Sequence, residues 1–520
     1  MATDAETEFQ SRNAERREKY HEADVVVVGA GIFGCAIAFA LANQGRSVIL
    51  LERWMHEPDR IVGELLQPGG MNALRKLGLE KCLEGIDAVP CYGYHVLYHK
   101  EDVVFPYPVV DDDGKVQTDR TAHASSNGLT TTTTTTEKGD TKALLPSRRP
   151  EGRSFHHGRF IGQLRKACGA HANITMFETE VMDTIRGEHT ETVLGVTTRT
   201  TDKETGEKRP DGFFGKLTII ADGYASKFRK EYIGQAPIVR SKFYALELID
   251  CPFTPQGYGH VIIGKAFPVL MYQIGTHETR ALIDVPEKLP AASPQNGGVR
   301  GYITNVVVPT LPEHVRPCVL TALADGKIPK SMPNSWLPPA RQGQHAGVIL
   351  AGDAYNMRHP LTGGGMTVAF NDAVLLAALL HPDRVAHLDD AAHMRAAMAD
   401  FHWRRKSLTS IINVLAQALY ALFAAQDRQL SALQRGCFRY FQLGITDEPV
   451  GMMGGLIRRP LVLAYHFFSV AFLAIWVNGV DVCGGSLLGL WKLPLAILDA
   501  ILILWKACVV FLPVVWIELR

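Results

Sequence analysis

The sequence predicts an α/β protein in three parts: a domain built on a parallel sheet, a β-rich second domain and a helical C-terminal region associated with a membrane. A β-branched run at 24–28 is followed at once by a glycine-rich turn and an apolar helical stretch. Apolar and alternating runs of strand length recur between 236 and 340. From about residue 460 onward, Leu, Ile, Val, Phe and Trp dominate, although 21% of the whole chain is charged.

Composition excludes several classes of protein. The 520 residues are too many for one hydrophobic core and indicate two or three domains. A formal net charge of +1 argues against a nucleic-acid binder. Nine scattered cysteines without a CxxC pair argue against a zinc site or a redox dithiol, so we expect no metal site and reduced thiols in a cytosolic setting. Residues 1–22 are polar and contain no apolar signal segment, which predicts a mobile tail.

The glycine turn GAGIFG joins the first predicted strand to the first predicted helix. Gly29, Gly31 and Gly34 form the pattern G-x-G-x-x-G, which permits a tight turn, close approach to a pyrophosphate and close packing of helix on strand. The helix N-terminus presents free N–H groups to phosphates. A second strand, 47–51, ends at Glu52, whose carboxylate can accept hydrogen bonds from ribose hydroxyls. Together these features predict a Rossmann-like domain, without distinguishing FAD from NAD.

Two strand-then-turn signals further along the chain favour FAD. They are KLTIIADG at 216–223, which contains Asp222, and GVILAGDA at 347–354, which contains Asp353. The second leads into the glycines 363–365, which allow close backbone approach before another helix. A single DG or GD pair is more often a plain turn. Their combination with the first motif predicts an FAD domain assembled from pieces that flank a substrate domain.

The C-terminal region reads as helical. Residues 410–425 have helical composition, and the next segment, 461–477, has 17 residues without a formal charge, at the lower edge of what spans a bilayer. In the last segment, 493–517, the charged residues are seven positions apart and lie on one stripe opposite a broad apolar face. Such a helix suits a membrane interface or a partner helix, and we expect Pro513 to end it. Two buried core helices are the alternative.

The segment between the two domains has a different composition. It contains DDDGK and seven threonines at 130–136, without any hydrophobic period, and we predict a disordered insertion. The predicted domain plan follows from these boundaries. It comprises a polar tail at 1–22, a discontinuous FAD-binding domain at 23–92, 150–235 and 345–400, a substrate domain at 93–110 and 236–344, a threonine-rich insertion at 111–149, and a helical membrane-anchoring region at 401–520.

The three turn motifs in this order resemble the FAD-dependent monooxygenases of the aromatic-hydroxylase type, whose FAD domain has the glutathione-reductase fold. Several longer strings resemble the squalene monooxygenase (squalene epoxidase) family in particular. They are EPDRIVGELLQPGG at 57–70, FHHGRF at 155–160, ADGYASKFRK at 221–230, GDAYNMRHPLTGGGMTVAF at 352–370 and NVLAQALY at 413–420. The resemblance runs from about residue 23 to the end, apart from the threonine-rich insertion.

The resemblance implies roles for individual residues. Gln67 and Tyr94 match a hydrogen-bonded pair that orients groups near the flavin and the substrate cleft. The late Asp353 and the glycine-rich turn up to Met366 match the contacts to the flavin's sugar-phosphate portion and ring. The full set expected at FAD, from the turn motifs and from the resemblance, is Gly29, Gly31, Ile32, Phe33, Gly34, Glu52, Arg53, Arg60, Leu65, Arg165, Val181, Asp222, Asp353, Gly364 and Met366.

The resemblance also implies an activity and its partners. The family epoxidises squalene with O2, through a flavin hydroperoxide, to give (S)-2,3-oxidosqualene for sterol (ergosterol-type) biosynthesis. NADPH is the implied ultimate electron donor, through NADPH–cytochrome P450 reductase. There is no second GxGxxG for a separate nicotinamide domain. Direct reduction by NADPH is the alternative that the sequence leaves open. The implied location is the cytosolic face of the endoplasmic reticulum membrane, or lipid droplets, with attachment through the C-terminal helices.

Two rival interpretations use the same fold. A flavoprotein reductase of isoprenoid chains would need FAD and a lipid but no oxygen. A lipid-binding escort protein related to Rab GDP-dissociation inhibitors would not use flavin, and the intact DG and GD motifs argue against it.

Overall fold

The computed structural model describes residues 4–99, 101–111, 113–117, 149–201, 205–264, 266–484 and 491–520. The threonine run at 130–136, predicted to be disordered, lies outside the described residues. The described part contains two large sheets, a small three-stranded sheet and a C-terminal group of helices.

The elements have the following bounds. The strands are β1 Glu22–Val28, β2 Val48–Glu52, β3 Leu65–Leu66, β4 Val89–Cys91, β5 Gly93–Tyr98, β6 Glu101–Pro106, β7 Gly152–Ser154, β8 Ile174–Glu178, β9 Glu180–Arg186, β10 Val193–Thr201, β11 Lys208–Ile220, β12 Ile238–Ile249, β13 Gly259–Ile263, β14 Val269–Gln273, β15 Glu278–Pro286, β16 Lys330–Trp336 and β17 Val348–Leu350. The α-helices are α1 Asp4–Lys19, α2 Ile32–Asn43, α3 Pro68–Lys76, α4 His157–Gly169, α5 Arg229–Ile233, α6 Gly298–Tyr302, α7 Arg316–Ala322, α8 Gly365–Leu379, α9 Ala391–Ala424, α10 Arg428–Gln442, α11 Asp447–Met453, α12 Pro460–Cys483 and α13 Leu493–Glu518.

The first large sheet has the strand order β8-β2-β1-β11-β10-β9, with β17 also paired to β11. Strands β8, β2, β1, β11 and β17 pair in parallel, and β9 and β10 form an antiparallel edge. Val25 and Val27 are fully buried because helices cover the parallel strands on one face, as runs of β-branched residues require. The predicted α/β fold is confirmed, and β1, α2 and β2 form its predicted βαβ beginning.

The second large sheet has the order β16-β12-β15-β14-β13-β5-β6. It is antiparallel except where β13 pairs in parallel with β5, which comes from a segment more than 150 positions earlier in the chain. One face packs on the short helices α6 and α7, and the other faces the first domain and the C-terminal helices. The face toward the first domain therefore supplies a wall for any site at the glycine turns.

The prediction of a mobile tail over residues 1–22 is wrong for the described part of that segment. The helix α1 spans most of it and docks through Arg17, which is 2% exposed. Its guanidinium donates to Thr175 Oγ1 at 2.9 Å, Ser47 Oγ at 3.2 Å and the Ala172 carbonyl at 2.6 Å. The charged composition of this segment therefore gave no sign that one of its cations, Arg17, is buried among three hydrogen-bond acceptors.

Three described helices are long and apolar enough to cross a membrane, namely α9, α12 and α13. The most apolar stretch of α9 is 67% buried, whereas those of α12 and α13 are only 22% and 28% buried. Trp476 and Trp505 on the outer faces are 71% and 68% exposed. An apolar surface of this extent suggests membrane association and contradicts two buried core helices.

The charged stripe of α13 faces the protein. Asp499 is 5% exposed and accepts from Arg428 and from Asn478, and Lys506 Nζ lies 2.6 Å from Asp427. The prediction that Pro513 ends this helix is wrong, because the helix continues to Glu518. The proline removes one backbone donor, while packing just before it holds the helix: Phe511 stacks on Phe467, with ring centroids 4.0 Å apart.

Candidate active site

The turn between β1 and α2 has the geometry that a pyrophosphate needs. Gly29 has a φ of 100°, and a Cβ there would lie 2.5 Å from the Ala221 carbonyl oxygen. A Cβ on Gly34 would lie 1.8 Å from the Gly29 carbonyl oxygen, so only glycine lets α2 pack this closely on the turn. A Cβ on Gly31 would meet no described heavy atom within 4 Å. Gly31 therefore borders open space at the N-terminus of α2, which fits a phosphate group.

Glu52 at the end of β2 holds the same turn. Its carboxylate accepts from the Ala30 N–H at 2.8 Å and lies 3.2 Å from Arg165 Nη2. Arg165 also donates to the carbonyls of Ala30, at 3.0 Å, and Trp54, at 2.9 Å. Arg53 lies 3.7 Å from the centre of the Trp54 ring. These contacts fix the two turns beside which the adenosine portion of a dinucleotide would lie, and they leave oxygen lone pairs of Glu52 for ribose hydroxyls.

Sequence analysis missed Arg229, which ties the two later turns together. This side chain is 3% exposed and donates to the carbonyls of Gly223, Tyr224, Asp353 and Ala354, at 3.0 to 3.2 Å. Four hydrogen bonds donated to carbonyls satisfy this buried guanidinium, for which no ion pair occurs among the described residues. The only sequence indication was its place in the string ADGYASKFRK, directly after the DG turn.

A cleft lies between the glycine turns and the second sheet. Its cavity volume is about 210 Å³. The predicted site residues that line it are Gly31, Ile32, Phe33, Arg60, Leu65, Tyr94, Asp353 and Met366. The other predicted residues do not line it: Gly29, Gly34, Glu52, Arg53, Gln67, Arg165, Val181, Asp222 and Gly364. A separate concavity of about 430 Å³ beside β1 and β11 contains none of the predicted residues.

Polar atoms at this cleft and in the turns that border it are incompletely paired within the described chain. Arg60 Nη2 lies 3.7 Å from Asp353, and Arg60 Nε is buried without a partner among the described residues. Asp222 Oδ1 is likewise buried and unpaired within them, and burial raises the pKa of this carboxyl. Buried polar groups normally have partners. A polar cofactor with ribose and phosphate groups fits these positions.

The opposite wall of the cleft is largely apolar. Val261, Leu270 and Leu282 project from the second sheet. Its polar residues include Glu64, 1% exposed, whose carboxylate is bidentate to Arg280 at 2.8 to 3.1 Å and accepts from Tyr272 Oη at 3.1 Å. Because Glu64 precedes β3 and its partners lie on β14 and β15, this pair joins the two domains at the cleft.

The predicted pair of Gln67 and Tyr94 is part of a group of three. Gln67 Oε1 accepts a short hydrogen bond from Tyr107, which sequence analysis missed, and Gln67 Nε2 donates to the Thr362 carbonyl at 2.9 Å. Tyr94 Oη lies 3.4 Å from the same carbonyl. Burial raises the pKa of Tyr94, with contacts to Tyr107 and Gln67 opposing that shift. Both tyrosines therefore stay protonated donors beside the glycine-rich turn.

We expect the fold to lose stability in mild acid because two buried histidines flank the cleft. Burial lowers the pKa of His157 and of His359 from 6.5 to about 3. The unfolded chain binds these protons below about pH 6.5 and the folded chain only near pH 3, so stability present at neutral pH is lost as the pH falls through this window. At pH 5 each histidine lowers the free energy of unfolding by about 2 kcal/mol relative to neutral pH. Thermal unfolding at pH 7, 6 and 5 measures the loss.

A His157→Gln variant should lose less stability between pH 7 and 5 than the parent chain. The matching change at the exposed His189 provides the control. An unfolding temperature that does not fall between pH 7 and 5 would contradict the assignment.

Comparisons with known proteins find matching family models, similar chains and similar folds. A family model described as "Squalene epoxidase" matches residues 214–491, and one described as "FAD dependent oxidoreductase" matches residues 24–263. The chain is 63% identical to a squalene epoxidase of Gibberella zeae over 98% of each chain, and 49% identical to one of Aspergillus fumigatus over 97% and 95%. A probable FAD-dependent monooxygenase of Pseudomonas aeruginosa, 20% identical, has a similar fold with a TM-score of 0.58, over 79% of this chain and 98% of that one.

Proposed function

Because the chain belongs to the squalene epoxidase family, we propose that its cleft is where squalene is epoxidised with O2 to (S)-2,3-oxidosqualene, in sterol (ergosterol-type) biosynthesis. The chain is an FAD-dependent monooxygenase. The observation that carries the proposal is that the dinucleotide turns and a largely apolar wall face each other across one cleft. A flavin enzyme that acts on a hydrocarbon needs both surfaces within reach of one reacting atom.

We propose that FAD lies along the turns of the first domain, which comprises 23–92, 150–235 and 345–400. Gly31 and the N-terminus of α2 would receive the pyrophosphate, and Glu52 the adenosine ribose. Arg60 and Asp353 would contact the sugar-phosphate portion, with the unpaired Arg60 Nε as one donor. When bound, FAD supplies the activation of O2 and the transfer of one oxygen atom to the substrate. The flavin ring would lie against the turn from 363 to Met366.

Squalene offers no polar group, so its binding must come from buried surface, at about 25 cal/mol per Å² of apolar area removed from water. The side chains of Val261, Leu270 and Leu282 supply that surface. They also exclude water from the oxygen-transfer step. Because the substrate is dissolved in lipid, the exposed apolar faces of α12 and α13 would bring the cleft to its source.

Tyr94, Gln67 and Tyr107 would orient groups at the junction of turn and cleft. We expect Tyr94→Phe to lower kcat about tenfold while FAD binding changes less than twofold, since the change removes one hydroxyl donor beside the Thr362 carbonyl and leaves the ring. Steady-state kinetics with squalene and a flavin titration measure the two effects. The matched control is Tyr98→Phe on the same strand, whose ring packs on Phe438 instead. A kcat within twofold of the parent would refute the role.

We propose NADPH as ultimate electron donor, delivered by NADPH–cytochrome P450 reductase at the cytosolic face of the endoplasmic reticulum. The sequence supports a separate reductase because GxGxxG occurs once, at the first domain. Direct reduction by NADPH is the second candidate.

One reaction tests substrate, product and donor together. The purified chain, loaded with FAD, is supplied with squalene, air, NADPH and a P450 reductase, and oxidosqualene is measured by mass spectrometry. Product only with reductase supports the whole proposal, and product without it supports direct reduction. No product from a folded, flavin-loaded chain would refute squalene as substrate. The same reaction is repeated under nitrogen, where a monooxygenase forms no product and an isoprenoid reductase still turns over.

A further inference from the structure

The end of α13 is buried against α9 rather than exposed like the rest of that helix. Glu518 is 2% exposed, although the most apolar stretch of α13 is only 28% buried inside the protein. Its carboxylate accepts from Asn413 Nδ2 at 2.8 Å and from Ser410 Oγ at 3.2 Å. Its backbone carbonyl accepts from Lys406. A buried carboxylate with this many donors is held in one position.

Asn413 connects this carboxylate to the glycine-rich turn at the flavin site. Its Nδ2 also lies 3.3 Å from Asn356 Oδ1, which in turn accepts from Arg358 Nη2 at 2.7 Å. Asn356 Nδ2 donates to the Leu337 carbonyl at 2.8 Å, so the orientation of this side chain is fixed. Arg358 lines the cleft. Three consecutive polar contacts therefore lead from the end of α13 to a cation at the candidate flavin site.

Glu518 also acts on Arg358 through its charge. Arg358 is buried, and burial lowers its pKa to about 10 while Asp353, Asp372 and Glu518 oppose that shift. Of these three carboxylates, Asp372 is directly paired with Arg405, and Asp353 lies 3.7 Å from Arg60. A buried cation is costly unless such charges offset it.

We infer that Glu518 is a positioning residue for the flavin-facing turn, acting through Asn413 and Asn356 on Arg358. The inference rests on the proposed binding of FAD at this turn. The helix that contributes the exposed apolar surface thereby also supports the cofactor site. Another buried carboxylate of that helix, Asp499, accepts from Arg428 and Asn478, neither of which belongs to the turn.

Flavin affinity of the full chain in detergent tests the inference, by titrating the apo protein with FAD and following flavin fluorescence. We expect Glu518→Ala to raise the Kd for FAD about tenfold and to lower kcat with little change in the KM for squalene. Glu518→Gln should restore affinity to within about threefold, because its amide oxygen still accepts from Asn413. Asn413→Ala should raise the Kd as Glu518→Ala does, and the double variant should show no further rise.

Asp499→Ala is the matched control, since it removes a buried carboxylate that anchors the same helix elsewhere. It should leave the Kd for FAD within twofold. The inference is overturned if Glu518→Ala binds FAD like the parent, if Asp499→Ala weakens FAD equally, or if the effects at 413 and 518 add fully. If Glu518→Ala does not fold, the Asn413→Ala and Asp499→Ala pair decides in the same way. A folded parent chain that binds no FAD would instead refute the proposed function.

Discussion

Replacement of Gly34 by alanine is expected to abolish FAD binding and to lower the free energy of unfolding by about 3 kcal/mol. The new methyl group would lie 1.8 Å from the Gly29 carbonyl oxygen, a backbone atom that cannot move aside alone. Either α2 must separate from the turn, or the turn must open, and overpacking of this kind typically costs 1–3 kcal/mol. Both rearrangements move the N-terminus of α2 from where it would meet the pyrophosphate. Chemical unfolding and a flavin titration measure the two losses.

Gly31→Ala separates the two effects. Its Cβ would meet no described heavy atom within 4 Å, so we expect the free energy of unfolding to change by less than about 0.5 kcal/mol. The methyl group would project into the proposed pyrophosphate position, and FAD affinity should fall at least tenfold. Gly162→Ala in α4, also in open space, controls for a general effect of replacing glycine by alanine. Normal FAD affinity of Gly31→Ala would place the cofactor elsewhere.

Arg280→Met is expected to lower the free energy of unfolding by about 3–5 kcal/mol, because it leaves the 1%-exposed carboxylate of Glu64 buried without its counter-ion. Tyr272 would remain as its donor, at 3.1 Å, and one neutral hydroxyl does not replace a bidentate guanidinium. Since the pair joins the first domain to the second sheet, the cleft should also lose its shape, and activity should fall with stability. Urea unfolding followed by fluorescence measures the change.

Two further variants make this test specific. The double change Glu64→Leu with Arg280→Met should recover most of the loss, because it removes both charges together. Arg209→Met removes an exposed partner of Glu207, with side chains 65% and 63% exposed, and should cost less than about 1 kcal/mol. A double variant as unstable as Arg280→Met would show that packing, rather than an unpaired charge, is responsible.

Sequence analysis predicted the parts of the site that depend on local backbone geometry. The glycine pattern at Gly29, Gly31 and Gly34 specifies a turn by steric necessity, so the turn, α2 and the acid at Glu52 were found where expected. Tyr107 was not found, because its partner is 40 positions away and its ring reads as an ordinary aromatic beside prolines. Which residues meet across a cleft depends on tertiary packing that periodicity does not encode.

Buried charges were the other class that the sequence did not reveal. Arg17, Glu64, Arg229 and Glu518 are all at most 3% exposed, yet in the sequence each resembles a solvated surface residue. Charged residues are almost never fully buried without partners, so the default interpretation is a reasonable one. What identifies them is a partner supplied by a distant segment, such as Thr175 for Arg17 or Asn413 for Glu518.

The central position of β1 has a consequence for how the chain leaves the ribosome. β1 pairs with β11, and Glu22 lies opposite Phe214, which is 192 positions later (214 minus 22). At typical synthesis rates of 5–20 residues per second, roughly 10 to 40 seconds separate the emergence of the two partners. Throughout that interval one edge of an apolar valine strand has no partner, and it is a template for pairing with other chains. The yield of folded protein should therefore depend on chaperones that cover this edge during translation.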